Sequence, residues 1–178
     1  MKEFSISEWR PAGESLDAEL DMLAEILRAV VQAGAGVSFC VPFSHEDARS
    51  FWSETVLPGV RDGSRRVLVA RVDGRITGTV QLCLATPPNQ KHRADVAKLL
   101  VHPSARRMGI ARELMQSLEK IARTAGRWLL TLDTVTGSHA EHLYRSLGYT
   151  AAGVIPNYAR GSLTPELEAT TIFYKDLR

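Results

Sequence analysis

The chain has 178 residues, 44% hydrophobic and 24% charged, which suits a single domain over 1–178 with a sizeable core. Its 22 basic and 20 acidic residues give a formal net charge of +2, which disfavours a protein built to coat nucleic acid, where a strong basic excess is usual. No apolar run approaches ~18 residues and Met1 to Arg10 has no basic-then-apolar leader, so neither a membrane partner nor secretion is expected, and the default location is cytoplasmic.

In chain order, Phe4 to Trp9 alternates weakly and reads as a first strand. Asp17 to Ala33 is a helix, with Leu16, Leu20, Leu23, Leu27 and Val30 forming one apolar stripe and Gly34-Ala35-Gly36 ending it. A second helix starts at Ser44, which makes a capping-box-like pair with Asp47, and should stop by Pro58. Arg66 to Val72 and Arg75 to Ala85 are β-rich runs joined by Asp73-Gly74, the signature of a type I′ hairpin. Thr86 to Lys91 is a loop, Arg93 to Val101 a strand, and Met108 to Ala125 a long helix. Trp128 to Thr134 is a strand, Ser138 to Leu147 a helix, and Ala151 to Asn157 and Thr170 to Leu177 two last strands. The order β-α-α-β-β-β-α-β-α-β-β needs antiparallel pairing at the hairpin and a parallel pair with a right-handed crossover between Arg93 and Thr134. One mixed sheet with helices on both faces, an α/β fold, meets both demands.

The most informative segment runs from Val101 to Ala111. A strand ends, a polar loop follows and a helix opens at Gly109. First-turn amides have no intrahelical acceptor and carry the positive end of the helix dipole. Small residues at Gly109 and Ala111 would let a pyrophosphate come close, and Arg106, Arg107 and Arg112 add positive charge. Neither a P-loop nor the dinucleotide glycine triplet is present.

Arg106-Arg107-Met108-Gly109-Ile110-Ala111 resembles the Gln/Arg-x-x-Gly-x-Gly/Ala signature of the GCN5-related N-acetyltransferases (GNAT). Ala140 to Tyr149, with Tyr144 followed by Leu147-Gly148-Tyr149, is similar to the later motif of that family. The resemblance implies a GNAT fold of about seven strands and about four helices, acting with acetyl-CoA as co-substrate. It implies that the Arg106 to Arg112 turn holds the pyrophosphate and that Leu99, Leu100 and Val101 pair with the pantetheine arm. Many members carry Asn seven residues before the tyrosine, where this chain has Gly137. Asp95 to Met115, Leu132-Asp133-Thr134 and Phe173-Tyr174-Lys175 look most like the tabtoxin-resistance branch, which implies a small amine as acceptor.

Acetyl transfer to an amine needs a base for the ammonium and an acid for the leaving thiolate. The resemblance makes Tyr144 the acid. Asp95, in an otherwise apolar strand, and Asp133, at a strand end where ligands of parallel sheets collect, are the candidate bases or ammonium anchors. Direct attack is the family habit, so Cys40 and Cys83 are not needed as nucleophiles. His139 and His142 do not match a zinc spacing, so no metal is expected. Phe39, Phe43, Phe51 and Trp52 lie where the family often lines its acceptor pocket, and a core face fits them equally. The expected partner is a small-molecule amine, with a homodimer left open. A non-catalytic acyl-CoA-binding sensor and a protein-amine acetyltransferase are the alternatives.

Overall fold

A computed structural model describes residues 3–178. The elements are β1 (Phe4–Glu8), α1 (Leu16–Gln32), α2 (His45–Ser50), α3 (Leu57–Arg61), β2 (Arg65–Val72), β3 (Arg75–Cys83), β4 (Arg93–Val101), α4 (Ile110–Thr124), β5 (Leu129–Val135), α5 (His139–Ser146), β6 (Thr150–Arg160) and β7 (Leu167–Asp176). The seven strands form one sheet in the order β1-β2-β3-β4-β5-β7-β6. Every neighbouring pair is antiparallel except β4 and β5, which lie parallel and are joined by the α4 crossover.

Two cores flank the sheet. On one face α4 buries Ile110, Leu114 and Leu118 against Val80, Leu82, Val96 and Leu130, with Tyr144, Tyr149 and Phe173 in the same cluster. On the other, α1 buries Leu20, Leu23, Leu27 and Val30 together with Trp52, Val67 and Val69. At about 1.5–3 kcal/mol for each fully buried large apolar side chain, these stripes hold the helices to the sheet. Asp73 and Gly74 have φ of 49° and 77°, the backbone of the type I′ turn expected from their sequence.

The second helix departs from expectation at Pro58. It does not stop there: α2, a π-helical segment (Phe51–Val56) and α3 run end to end as far as Arg61. The wider turn re-phases the hydrogen bonds, so Pro58 falls in the first turn of α3, where a missing N–H costs nothing. The expected capping box is present, with Ser44 and Asp47 each taking the other's backbone N–H. With that run counted as one rod, four helical rods flank the sheet.

Candidate active site

β4 and β5 pair only at Arg93–Leu129, Ala94–Leu130 and Asp95–Thr131. Beyond that rung the two strands separate, leaving the β5-facing backbone edge of β4 from Val96 to Val101 unpaired. β4 also bulges there. Opposite the three residues Thr79 to Gln81 of β3 it spends four, Leu100 to Ala97, and Lys98 takes a left-handed φ of 50°. The bulge and the split occupy the same stretch of strand. Leu99, Leu100 and Val101, expected to pair with a pantetheine arm, therefore lie on a backbone edge open to a ligand.

The loop after β4 leads to the predicted anion site. His102 caps a short 3-10 turn through Ser104 N–H, and Arg107 (φ 64°) and Gly109 (φ 85°) are both left-handed. Glu113 N–H is the first in α4 to bond back, to Gly109 O at 3.1 Å, so the amides of Ile110, Ala111 and Arg112 form the unpaired first turn. A groove of about 260 Å³ opens here, lined by Val101, Gly109, Ile110, Ala111 and the three arginines 106, 107 and 112. Met108 instead packs against the core, and Leu100 is buried, so each contributes backbone alone. Arg112 is tied to Ser146 Oγ at 2.8 Å, which fastens α4 to α5. Amide dipoles, three guanidiniums and an unpaired strand edge are the donor set that a pyrophosphate and an amide-bearing arm require, so the residues fit acetyl-CoA.

Tyr144 is held by the way α5 ends. Gly148 takes a left-handed φ of 82°, its N–H bonds to Arg145 O at 3.0 Å, and Tyr149 N–H reaches Tyr144 O at 3.0 Å. This closing motif lays the Tyr149 ring 5.7 Å from that of Tyr144, with Phe173 6.1 Å away on the other side. The leucine-glycine-tyrosine signature is thus a helix stop that positions the tyrosine. Burial raises the Tyr144 pKa well above its ordinary value, and the nearby Asp133 carboxylate raises it further, so the hydroxyl stays protonated.

The two predicted carboxylates occupy different environments. Asp133 is exposed on β5, past the split, and takes one hydrogen bond, from Thr170 Oγ1 at 3.3 Å. Asp95 sits on the last paired rung, where its Oδ1 accepts from both the Arg93 guanidinium and the Thr131 hydroxyl. Its Oδ1 fastens the point where the strands part, while the side chain remains 47% exposed.

Ser138, beside Gly137, caps α5 through Glu141 N–H and also meets Thr134 Oγ1 at 3.2 Å. Its hydroxyl is thus engaged within the fold. The Cys83 thiol is pushed up by burial and stays protonated, and His139 and His142 are exposed. Among the described residues no group of three potential ligands could hold a metal, and no helix is long and apolar enough to cross a membrane.

Sequence reading missed Lys98. Plain alternation from Val96 would send its side chain into the α4 core; the bulge turns it to the α1–α2 face. There Nζ donates to Val37 O at 2.9 Å and Ser38 Oγ at 3.0 Å, beside the rings of Phe39 and Phe51. Burial lowers its pKa, with Asp133 opposing that shift. Phe39 meets Phe43 in a tilted contact and Phe51 edge to face at this position, on the sheet face that carries Asp133.

The comparisons agree with this geometry. A model of the Acetyltransferase (GNAT) family matches residues 25–149. An uncharacterised N-acetyltransferase from the hisH–hisA intergenic region of Azospirillum brasilense is 34% identical over 118 residues, 65% of this chain and 67% of that protein. Solved structures share the fold. An N-acetyltransferase from Staphylococcus aureus Mu50 superposes with a TM-score of 0.81 at 17% identity, covering 99% of both chains. For yncA of Salmonella typhimurium, solved with its cofactor acetyl-CoA, the TM-score is 0.78 at 19% identity, covering 98% of this chain and 94% of that one. A GCN5-related N-acetyltransferase from Kribbella flavida gives 0.77 at 23%, covering 98% of both. The split strand pair, the glycine-opened helix and these matches together establish that the chain belongs to the GNAT acetyltransferase family, as an acyl-CoA N-acetyltransferase that works with acetyl-CoA.

Proposed function

We propose that this enzyme acetylates the primary amine of a small molecule by direct attack within a ternary complex in the cytoplasm. The observation that carries the reading is the pairing of two proton-handling groups beside the split. Asp133 is an exposed carboxylate on the strand that parts from β4, and Tyr144 is a buried phenol close enough to feel its charge. When bound, acetyl-CoA supplies the acetyl group as a thioester. The Arg106 to Arg112 turn binds its pyrophosphate, and the β4 edge from Leu99 to Val101 orients the arm. Asp133 attracts the acceptor ammonium and takes its proton, directly or through one water. Tyr144 keeps a proton at its hydroxyl for the departing sulfur. Asp95 stands one step back, holding the strands at the point where they diverge.

A small acceptor is supported by the cover over this face. The loop after α1 is bonded to the β6–β7 loop, with Val41 N–H on Ser162 O at 2.9 Å and the Cys40 thiol on Gly161 O at 3.6 Å. Those contacts narrow the approach for a folded protein more than for a metabolite. The likeness to tabtoxin-resistance acetyltransferases points the same way, on its own residues alone. The test is a screen of small amines and lysine peptides with acetyl-CoA, read as free CoA release. Turnover of small amines above peptides supports the reading, and turnover of peptides alone replaces it with protein acetylation.

A further inference from the structure

Lys98 is a charged group on the acceptor face for which proton transfer has no use. Its backbone is left-handed in the middle of a strand, a conformation side chains other than glycine rarely adopt, and the result is a cation facing α1 and α2. A lysine ammonium has three N–H donors, and the bonds to Val37 O and Ser38 Oγ use two.

The surroundings are rich in donors. Lys98 senses the charge of Arg65, whose guanidinium donates to Gln81 Oε1 at 2.9 Å. A guanidinium can only donate, so this bond fixes the orientation of the Gln81 amide. Nε2 of Gln81 is left as a donor, on a residue only 1% exposed and with no partner. The negative group lies on the other side of the split. Asp133 is on β5, on the same sheet face, and interacts electrostatically with Lys98 without forming an ion pair with it. The ladder ends at Asp95–Thr131, so Asp133, two residues on along β5, and Lys98, three residues on along β4, lie on opposite sides of the gap, with no ion pair between them.

Resting on the amine-acetylation reading, we propose that Lys98 is a specificity-determining residue and that the acceptor is zwitterionic. Its amine lies at Asp133 and a carboxylate on the same small molecule lies at Lys98, so that the acceptor bridges the two charges. A plain alkylamine would leave the ammonium of Lys98 uncompensated, and a dication would be repelled by it.

The test is a matched series of acceptors: free amino acids, their carboxamides and the corresponding decarboxylated amines, assayed by CoA release. Wild type should favour the free acids at least tenfold in kcat/KM, mainly through KM. Lys98→Met keeps the length and removes the charge. It should raise KM for the acids at least tenfold, leave the carboxamides within about threefold, and so abolish the preference. Lys98→Arg should retain part of it. Thermal melting and acetyl-CoA affinity establish that the variants are folded, and the wild-type preference is measured independently of any variant. Equal turnover of acids and carboxamides by wild type, or a preference that survives in folded Lys98→Met, overturns the proposal and leaves amine acetylation standing. No CoA release with any member of the series overturns the amine-acetylation reading, and this proposal with it.

Discussion

Asp95 and Thr131 face each other on the last rung of the β4–β5 pair, and the Asp95 carboxylate also holds the Arg93 guanidinium. Two residues further along β5, Asp133 has no β4 partner. The same residue type therefore stands in two settings. Asp95→Asn keeps an oxygen for both donors while losing the charge. Stability should fall by about 1 kcal/mol at most, since the Asp95 side chain is 47% exposed and water screens the pair. The pH–rate profile should keep its shape. Asp133→Asn should lower turnover, and its rate should climb more steeply with pH, because solution must then deprotonate the acceptor. Profiles for wild type and both variants check this, and an Asp95→Asn profile that changes in the same way would restore Asp95 as a base.

In the proposed mechanism the Tyr144 hydroxyl contributes a proton, while its ring packs in the core. Tyr144→Phe should therefore lower kcat by roughly 10²-fold, the lower end of general acid catalysis, with acetyl-CoA affinity within about twofold. The sign of its pKa shift matters. A raised value means that the proton-bearing form persists above the ordinary tyrosine range. Any loss of activity between pH 8 and pH 10 must then come from another group, and Tyr144→Phe should show the same alkaline limb as wild type. A limb that vanishes in the variant would show that Tyr144 ionises early.

Gly109 opens α4 at a φ of 85°, and a Cβ there would meet no protein atom within 4 Å. The cost of Gly109→Ala to the fold is backbone strain, roughly 1–2 kcal/mol, and its methyl group points into open space beside the groove. Acetyl-CoA affinity should drop by tenfold or more in a folded variant, measured by calorimetry. Arg106→Ala should weaken binding less, and most at low ionic strength, because an exposed guanidinium is screened by salt. Unchanged affinity in both would move the pyrophosphate elsewhere.

Much of this was legible in the sequence because it is written in local chemistry. Asp73-Gly74 specifies its turn, Ser44 and Asp47 their cap, and the α1 leucines their stripe, each within a few residues. The glycine-opened α4 and the Tyr144 helix were legible for the same reason. What stayed hidden depends on pairing between distant strands. The bulge exists only as a mismatch between β3 and β4, so the turn of Lys98 toward Phe39 and Phe51 has no signature in a single strand. The end of the β4–β5 ladder is likewise a relation between two strands, so the different settings of Asp95 and Asp133 emerge only once that rung is located. Pro58 misled because its usual effect was cancelled by a π-helical turn one segment earlier.

The last prediction concerns stability away from the chemistry. Lys175 on β7 places Nζ 2.8 Å from both oxygens of Glu119 on α4 and 2.7 Å from Leu147 O at the end of α5. Both side chains are largely buried, at 20% and 8% exposure. One ammonium thus joins the sheet, the crossover helix and the helix that carries Tyr144, and it lies 5.4 Å from the centre of the Tyr149 ring. Taking two charges out of water is costly, so the pair adds little net stability as a pair. Removing one partner is different, because the other charge is then buried alone. Lys175→Met should destabilise by about 3–5 kcal/mol, and Glu119→Gln by less, since the amide can still accept from Lys175. Combining Lys175→Met with Glu119→Leu should recover much of the loss, as no charge is then stranded. Urea unfolding of Lys175→Met, Glu119→Leu and the variant that combines them measures the coupling directly. Single and double losses that simply add would mean that Lys175 and Glu119 act independently, and the link from the sheet to the Tyr144 helix would then rest on packing alone.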